Sequence, residues 1–245
     1  MIFYFIRHGD PIYDPDSLTP LGHRQAEAVG KRLSVYGIDK IYSSSSTRAM
    51  QTAQPTCEML KKDMTVLDWC NEAIAWDEIS VEYEKGKRTW CFQHKPTVDI
   101  FARKDVRALG KDFYKHELIA NNELYANTMF EEGLGRIQRE ADVLFLSLGY
   151  RHDEERGGYI AENPTNERVA LFAHQGFGLA FLCCVLDIPY NDFCTRFDFG
   201  HSGMTVIEFS AQKGELCVPK ILQLSNDSHL YKEGLATKYQ NRIYI

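Results

Sequence analysis

Two histidines and two arginines, at separate points of the sequence, have the chemistry needed to bind and attack a phosphate group. Arg7 and His8 follow the first apolar run of the chain, Arg48 follows a Ser-rich turn, and His174 follows a later apolar run. Arginine offers a planar fork of donors that matches phosphate oxygens and stays charged at working pH. Neutral imidazole is a nucleophile whose unperturbed pKa, about 6.5, makes that form available.

These side chains can meet only if the elements before them share one sheet edge. Short apolar runs and β-branched segments bounded by turn residues predict buried strands. The predicted strands are Ile2–Ile6, Asp39–Tyr42, Thr65–Leu67, Val169–Ala173, Met204–Phe209 and Val218–Leu224. Open α/β sheets bind ligands at the carboxyl ends of their parallel strands, so we expect the four side chains to converge there.

Helix signals lie between these strands. Thr19 is suited to cap a helix that begins with Pro20, and Ser46 is suited to cap a second helix that carries Arg48. That second amino terminus would add backbone N–H groups and a positive dipole end to the site. Pro55 is expected to kink or end this helix, since it lacks the N–H of a helix interior. A further helix is predicted over Leu179–Leu186.

The middle of the chain, about residues 76–166, is mostly helical and charged in its pattern. Apolar residues recur at helical spacing between Leu124 and Leu148. Alternating strands and helices predict a three-layer α/β/α sandwich with a mostly parallel central sheet. We expect residues 1–245 to form a single domain, with the segment at about 76–166 inserted as a helical cap over the carboxyl edge of the sheet.

Composition limits the function. A net charge of −6 and a pI of about 5.8 disfavour a nucleic-acid partner. The amino terminus lacks the basic region of a signal peptide, and no segment approaches the ~20 apolar residues of a membrane span. Seven scattered cysteines predict free thiols in a reducing compartment, hence the cytoplasm. The expected partner is a small phosphorylated substrate, without nucleic acid or membrane, and the oligomeric state stays open.

Four segments, taken in order, resemble the motifs of the histidine phosphatase superfamily, which includes the cofactor-dependent phosphoglycerate mutases. They are Arg7-His8-Gly9 (the RHG motif), residues 18–26, residues 42–53 and Phe172-Ala173-His174-Gln175-Gly176. The likeness covers about residues 1–76 and 167–225 and leaves out the middle. Any one motif would be weak, but their order is specific.

The resemblance implies a role for each matching residue. His8 would become the phosphohistidine, and Arg7, Arg48 and His174 would hold the phosphoryl oxygens during catalysis. An acidic residue would protonate the leaving oxygen and later activate water. Glu72 is our choice, because it follows the predicted third strand.

The resemblance leaves the acid open among three residues. Where the family commonly has a Gly-rich Trp-Glu element after the acid, this chain has Ala75-Trp76-Asp77-Glu78, so Asp77 and Glu78 stay open as alternatives. His201, in a Gly-rich stretch, could line the pocket, but its neighbours favour a turn residue. The aromatic residues of the middle segment, Trp90 among them, are expected to pack the cap rather than line the pocket.

The resemblance implies a phosphoric monoester hydrolase of the histidine acid phosphatase type, which needs no metal and no cofactor. Two alternatives are a phosphomutase like the cofactor-dependent phosphoglycerate mutases and a non-catalytic module that binds a phosphorylated ligand. The physiological substrate and the role of the 76–166 segment cannot be read from these residues.

Overall fold

The structure is a computed structural model that describes residues 1–237. Its strands are β1 Ile2–Arg7, β2 Pro11–Tyr13, β3 Asp16–Leu18, β4 Lys40–Ser44, β5 Met64–Leu67, β6 Ser80–Glu84, β7 Lys87–Trp90, β8 Tyr150–Asp153, β9 Gly158–Ala161, β10 Arg168–Ala173, β11 Met204–Glu208, β12 Leu216–Cys217 and β13 Lys220–Asn226. Its α-helices are α1 Pro20–Tyr36, α2 Thr47–Leu60, α3 Glu72–Ile79, α4 Lys95–Phe101, α5 Lys104–Arg107, α6 Glu117–Ala120, α7 Phe130–Ser147, α8 Gln175–Leu186, α9 Tyr190–Cys194 and α10 Ser228–Lys232. Short 3₁₀ turns lie at Asp68–Cys70, Cys91–Gln93, Gly110–Lys115 and Glu123–Tyr125.

The central sheet has six strands in the order β13–β11–β1–β10–β4–β5. Strands β1, β10, β4 and β5 run parallel, whereas β11 is antiparallel to both β1 and β13. The predicted α/β fold with a mostly parallel sheet is therefore confirmed. The carboxyl ends of the four parallel strands meet at one edge, which is where the predicted site lies.

Each face of the sheet has its own apolar layer, because side chains alternate along the strands. Tyr4 and Ile6 of β1 pack with Val29 and Leu33 of α1, and Ala53 of α2 belongs to the same cluster. On the opposite face, β1 contributes Phe3 and Phe5 to a larger cluster with side chains of α7 and α8. Helix α8 lies inside this second layer, and its residues from Gln175 to Val185 are all buried.

The predicted strands and helix starts agree with the structure to within a few residues, with two exceptions. Thr19 caps α1 as expected, since its side chain accepts a hydrogen bond from the Gly22 N–H. Pro55, expected to kink or end α2, does not end it, since the helix continues to Leu60; a kink at Pro55 stays a prediction. Pro55 lies directly against Gly30 of α1, and we attribute the continued helix to this packing, which compensates for the one lost hydrogen bond. Likewise, α7 begins only at Phe130, six residues after the predicted start at Leu124.

The middle segment contains more strand than its pattern predicted. Strands β6 and β7 form a hairpin around Gly86, and β8 and β9 join β12 in a separate three-stranded sheet. Phe101 and Phe113 of this segment belong to the same apolar cluster as Phe5 of the central sheet. Its division from the rest of the chain as a cap stays a prediction.

No helix among residues 1–237 has the length and apolar character needed to cross a membrane. The seven cysteines are all buried and unpaired, in agreement with the prediction of free thiols.

We expect the contact between α8 and β1 to be intolerant of added volume. A Cβ atom at Gly178 would lie 2.3 Å from Cζ of Phe5, inside the core. Gly178→Ala should therefore lower the free energy of unfolding by about 1–3 kcal/mol, measured by urea denaturation.

The matched control is Gly135→Ala on α7. There the nearest atom to an added Cβ is Nη1 of Arg139, at 3.2 Å, the far end of a flexible exposed side chain. This variant should be neutral or more stable by up to about 1 kcal/mol, because alanine favours the helix. Equal losses in the two variants would contradict the proposed clash.

Candidate active site

Parallel pairing of β1 with β10 places the two histidines side by side at the carboxyl edge of the sheet. The N–H of His8 donates to the carbonyl of Ala173 at 2.9 Å, and the His8 carbonyl accepts from the N–H of Ser202 at 3.0 Å. The ring centroids of His8 and His174 lie 5.2 Å apart. Both side chains are almost fully buried. The backbone thus fixes the two rings in a small, sheltered space.

The tautomer of His8 follows from its local hydrogen bond. Nδ1 lies 2.7 Å from the carbonyl oxygen of Gly9, so Nδ1 donates its proton and Nε2 keeps its lone pair. Burial, and then the charges of His174 and Arg7, hold the pKa of His8 well below its usual value. A neutral imidazole with one fixed lone pair is suited to act as a nucleophile.

Arg7 is buried beside His8, with one guanidinium nitrogen available to a ligand. Its Nη1 donates to the carbonyl of Phe199, and its Nη2 lies 2.9 Å from Nε2 of His201. Its Nε is buried and has no hydrogen-bond partner. Burial without a direct carboxylate partner is costly for a guanidinium, and a bound anion would offset that cost.

Arg48 sits in the first turn of α2 between two carboxylates. Its Nη1 donates to Oδ1 of Asp16 at 2.7 Å and its Nη2 donates to Oε2 of Glu72 at 3.1 Å. Asp16 also accepts a hydrogen bond from the Thr47 N–H at 2.7 Å, and so caps α2 from the β2–β3 hairpin. The expectation that this helix terminus offers its first N–H to a phosphate is therefore wrong for Thr47.

The sequence predicted that the Ser46 side chain caps α2. This prediction is wrong, because the Ser46 side chain makes no capping hydrogen bond. Its Oγ instead lies 3.1 Å from Nε2 of His174, which is also 2.8 Å from Oγ of Ser44. The nearby carboxylate of Glu72 can only accept when ionised, which favours the tautomer with the proton on Nδ1 and with Nε2 accepting from a serine hydroxyl. Nδ1 is buried without a hydrogen-bond partner and lies 3.6 Å from Oε2 of Glu72. Burial, with Arg48 and Arg7 nearby, lowers the pKa of His174 well below its usual value.

The carboxylate of Glu72 is held by groups from two elements, α2 and α8. Oε2 pairs with Arg48, and Oε1 accepts from the backbone N–H of Gly176 at 2.9 Å, at the start of α8. The side chain of Glu72 is 13% exposed, so its carboxylate is largely shielded from bulk water.

The structure separates Glu72 from its two sequence alternatives. Glu78 forms a paired salt bridge with Arg136 of α7, with both N–O distances at 2.7 Å, and is engaged there. Asp77 is exposed. Neither Asp77 nor Glu78 lines the cavity formed by Arg7, Arg48 and Glu72. Among the three acids, only Glu72 lies beside His174.

His201 is a site residue that the sequence interpretation missed. Besides its contact with Arg7, its Nδ1 lies 3.5 Å from Oδ1 of Asp10, and its ring centroid is 5.7 Å from that of His8. Since Arg7 can only donate, Nε2 of His201 accepts and Nδ1–H faces Asp10. The one available signal was the pair of glycines around His201-Ser202, which allow a tight turn but do not reveal its neighbours.

The side chains of this site fit an anion better than a cation. His8, Glu72 and His174 each place one possible ligand atom within 4.8 Å of the others, which is a geometry that a metal ion could use. Two guanidiniums beside them would repel that ion. Buried N–H donors without partners, on Arg7, Arg48 and His174, instead match the oxygens of a tetrahedral anion.

A cavity of about 700 Å³ is lined by three residues of this site, Arg7, Arg48 and Glu72. Its lining residues within the described chain are Arg7, Tyr13, Asp16, Ser45, Ser46, Thr47, Arg48, Asn71, Glu72, Ala73, Trp76, Trp90, Gln93 and Gln175. Trp90, expected only to pack the middle segment, therefore also contributes to a wall of the site.

Comparison with known proteins identifies this architecture. Several solved structures share the fold at a TM-score of 0.56, among them a phosphoserine phosphatase from Entamoeba histolytica in complex with 3-phosphoglyceric acid. That chain is 16% identical, and the match covers 94% of this chain and 98% of that chain. A mycobacterial glucosyl-3-phosphoglycerate phosphatase is 19% identical, with 91% and 98% coverage and the same TM-score. Comparison with curated protein sequences gives no match.

The family model described as histidine phosphatase superfamily (branch 1) matches residues 3–109. This stretch includes the segments around His8, Arg48 and Glu72, and the resemblance read from the motifs is thereby confirmed. Residues 3–109 are thus similar to this superfamily, and the solved structures named above share the fold over most of the chain.

The buried histidines predict a loss of stability in acid. The pKa of His8 and of His174 is lowered in the folded protein, so below about pH 6.5 the unfolded chain binds protons that the folded chain does not. Each such histidine should cost about 1.4 kcal/mol between about pH 7.5 and pH 5.5. Urea denaturation at both pH values measures this, and His8→Gln should reduce the acid loss by about that amount.

His152 supplies the opposite control. Its hydrogen bond with Asp142 raises the pKa of His152, so its contribution is present in acid and lost as the pH rises. His152→Gln should therefore steepen the loss on acidification. The same loss in wild type and His8→Gln would show that His8 is not held neutral.

Proposed function

We propose that this protein is a phosphomonoesterase that hydrolyses a small phosphorylated substrate through a phosphohistidine on His8. The observation that carries the proposal is the set of buried, unpartnered N–H donors on Arg7, Arg48 and His174 around the free lone pair of His8. These donors bind a phosphoryl group where Nε2 of His8 can attack it. The solved relatives named above are phosphatases, which is consistent with this reaction.

In the first step, Nε2 of His8 forms a bond to phosphorus while the bond from phosphorus to the ester oxygen breaks. Glu72, in its acid form, donates a proton to the departing oxygen, and the alcohol leaves. The hydrogen bond from the Gly176 N–H and the contact with Arg48 hold the Glu72 carboxyl in one orientation.

In the second step, water attacks the phosphohistidine and the N–P bond breaks, which returns His8 and releases inorganic phosphate. Glu72, now a carboxylate, accepts the proton from the attacking water. The charge that builds on the equatorial phosphoryl oxygens in both steps is stabilised by Arg7, Arg48 and Nδ1–H of His174.

The geometry favours this catalyst over a module that only binds. A binding module needs the arginines but not a carboxylate beside the phosphate site, whereas Glu72 lies 3.6 Å from Nδ1 of His174 and is anchored. A phosphomutase would use the same phosphohistidine but return the phosphoryl group to a bound acid. Phosphate release measured against isomerisation of 3-phosphoglycerate distinguishes the two reactions.

Substitution of His8 tests the nucleophile. Wild type should hydrolyse p-nitrophenyl phosphate equally well with and without excess chelator, since arginine and histidine supply the positive charge. His8→Ala should lose at least about a thousandfold in kcat, because the covalent route is removed. Rapid acid-free quenching with ³²P-labelled substrate should trap an acid-labile phosphoenzyme in wild type and none in His8→Ala. Comparable turnover by the two proteins would refute the assignment.

Substitution of Glu72 tests the proton donor. Glu72→Gln should lower kcat/KM, which reports the phosphorylation of His8, by about 10²–10⁴-fold for alkyl phosphates, whose alkoxide leaves poorly without a proton. The loss in kcat/KM should be much smaller for p-nitrophenyl phosphate, whose phenolate leaves readily, while hydrolysis of the phosphohistidine should be slowed equally for both.

Glu78→Gln is the matched control, because Glu78 binds Arg136 and does not line the site. It should lower stability but leave the dependence on leaving group as in wild type. If Glu78→Gln or Asp77→Asn changed the dependence of the rate on the leaving group, and Glu72→Gln did not, the proton donor would be Glu78 or Asp77 instead.

Two finer assignments belong to the same proposal. A histidine acid phosphatase type predicts a rate optimum in acid, and the lowered pKa of His8 favours it, because the imidazole stays neutral and nucleophilic there. A pH–rate profile measures this. Residence in the cytoplasm stays a prediction from the free cysteines.

A further inference from the structure

The part of the cavity beyond the phosphate-binding groups is lined by aromatic rings from three elements. Tyr13 comes from the β2–β3 hairpin, Trp76 from α3 and Trp90 from the end of β7. The Tyr13 ring is 67% exposed and its centroid lies 5.4 Å from the guanidinium carbon of Arg48. Aromatic residues at a ligand site bind flat apolar faces, such as another ring or the C–H face of a sugar.

The two tryptophan rings of this wall are held in place rather than free to turn away. The rings of Trp76 and Trp90 meet edge to face, with centroids 5.0 Å apart and an interplanar angle of 86°. Trp90 also stacks on Phe92 at 5.5 Å and 18°. A Cβ atom at Gly176 would fall 2.4 Å from Cζ2 of Trp90, so the indole lies directly on the first turn of α8. The aromatic wall is therefore fixed relative to the phosphate-binding groups.

The charged side chains that line the cavity limit which groups the substrate can carry besides its phosphate. Among the lining residues within 1–237, the positively charged side chains are Arg7 and Arg48. Asp16 and Glu72 both pair with Arg48. Even with Glu72 in the acid form that the first step requires, Asp16 leaves the two arginines with one net positive charge, which a phosphate dianion already exceeds. A second anionic group on the same substrate would meet no spare cation among these lining residues.

An adjoining cavity of about 470 Å³ does not change this result. It shares Gln93 and Gln175 with the first cavity and adds Arg196 and Asp198. Arg196 is paired with the carboxylate of Asp192 at 2.9 Å, and Asp198 accepts from the side chain of Gln175. The extension is thus balanced in charge.

The remaining polar groups of the cavity are uncharged. The amides of Asn71, Gln93 and Gln175 line it and can donate to or accept from hydroxyls or ring nitrogens of a neutral molecule. We propose that the substrate is the phosphate monoester of an uncharged alcohol that presents a flat ring face, and not of a carboxylic acid or a second phosphate. This inference rests on the proposed function.

Three alkyl phosphates with similar leaving groups test it: benzyl phosphate, glucose 6-phosphate and 3-phosphoglycerate. The kcat/KM of at least one ring substrate should exceed that of 3-phosphoglycerate by about tenfold or more. Comparison of the aromatic substrate with the sugar phosphate shows which kind of ring the cavity prefers. Equal or higher kcat/KM for 3-phosphoglycerate would overturn the inference and leave the phosphatase assignment standing. No hydrolysis of any of the three, with no trapped phosphoenzyme, would instead reject the proposed function.

Two variants test the basis of the preference. Trp76→Leu should lower kcat/KM for the preferred ring substrate by about fivefold and leave 3-phosphoglycerate nearly unaffected, since only the ring contact is lost. Tyr231→Leu, which removes a 90% exposed aromatic ring elsewhere, is its control. Gln93→Lys places a cation at an exposed lining position and should raise the ratio of 3-phosphoglycerate to ring-substrate activity. An unchanged ratio in Gln93→Lys, together with equal effects of Trp76→Leu on all substrates, would contradict the charge and ring arguments.

Discussion

The parallel pairing of β1 with β10 is the constraint on which the site depends. Arg7 pairs with Ala173 in register, so the next residues of the two strands, His8 and His174, emerge together at the same edge. Strand β4 pairs with β10 on its other side and delivers the serine turn before Arg48. A shift of register by one residue would reverse the face of every side chain and separate the rings. The apolar layers on both faces oppose such a shift, because they bury alternate residues of β1.

Around those strand ends, salt bridges and neutral histidines limit the net buried charge. Arg7 and Arg48 lie in surroundings that would be costly without partners, and the neutral forms of His8 and His174 avoid adding two more charges. Asp16 and Glu72 both pair with Arg48, so Arg7 is left with a carbonyl and an imidazole. The arrangement orders the donors before a substrate arrives, which is the form of preorganisation that stabilises charge in a transition state.

Much of this could be predicted from the sequence, because the signals were local. A short apolar run before Arg7-His8, and another before His174, are sufficient to place these residues after buried strands of one sheet. The strands β6 to β9 could not be predicted, because their short runs lie among charged residues and are stabilised by tertiary packing. His201 and Asp16 were missed for a similar reason: their contacts with Arg7 and Arg48 join residues distant in the chain. The choice among three acids likewise required knowing that Glu78 is engaged by Arg136.

The salt bridge between Asp16 and Arg48 has a consequence for product release in the proposed mechanism. Because a carboxylate already shares this guanidinium, inorganic phosphate would compete for a cation that is partly neutralised. The product would then be bound less firmly than by two arginines without carboxylate partners. Asp16, on the β2–β3 hairpin, would thus lower the ground-state affinity for phosphate and shorten the time that the product stays bound.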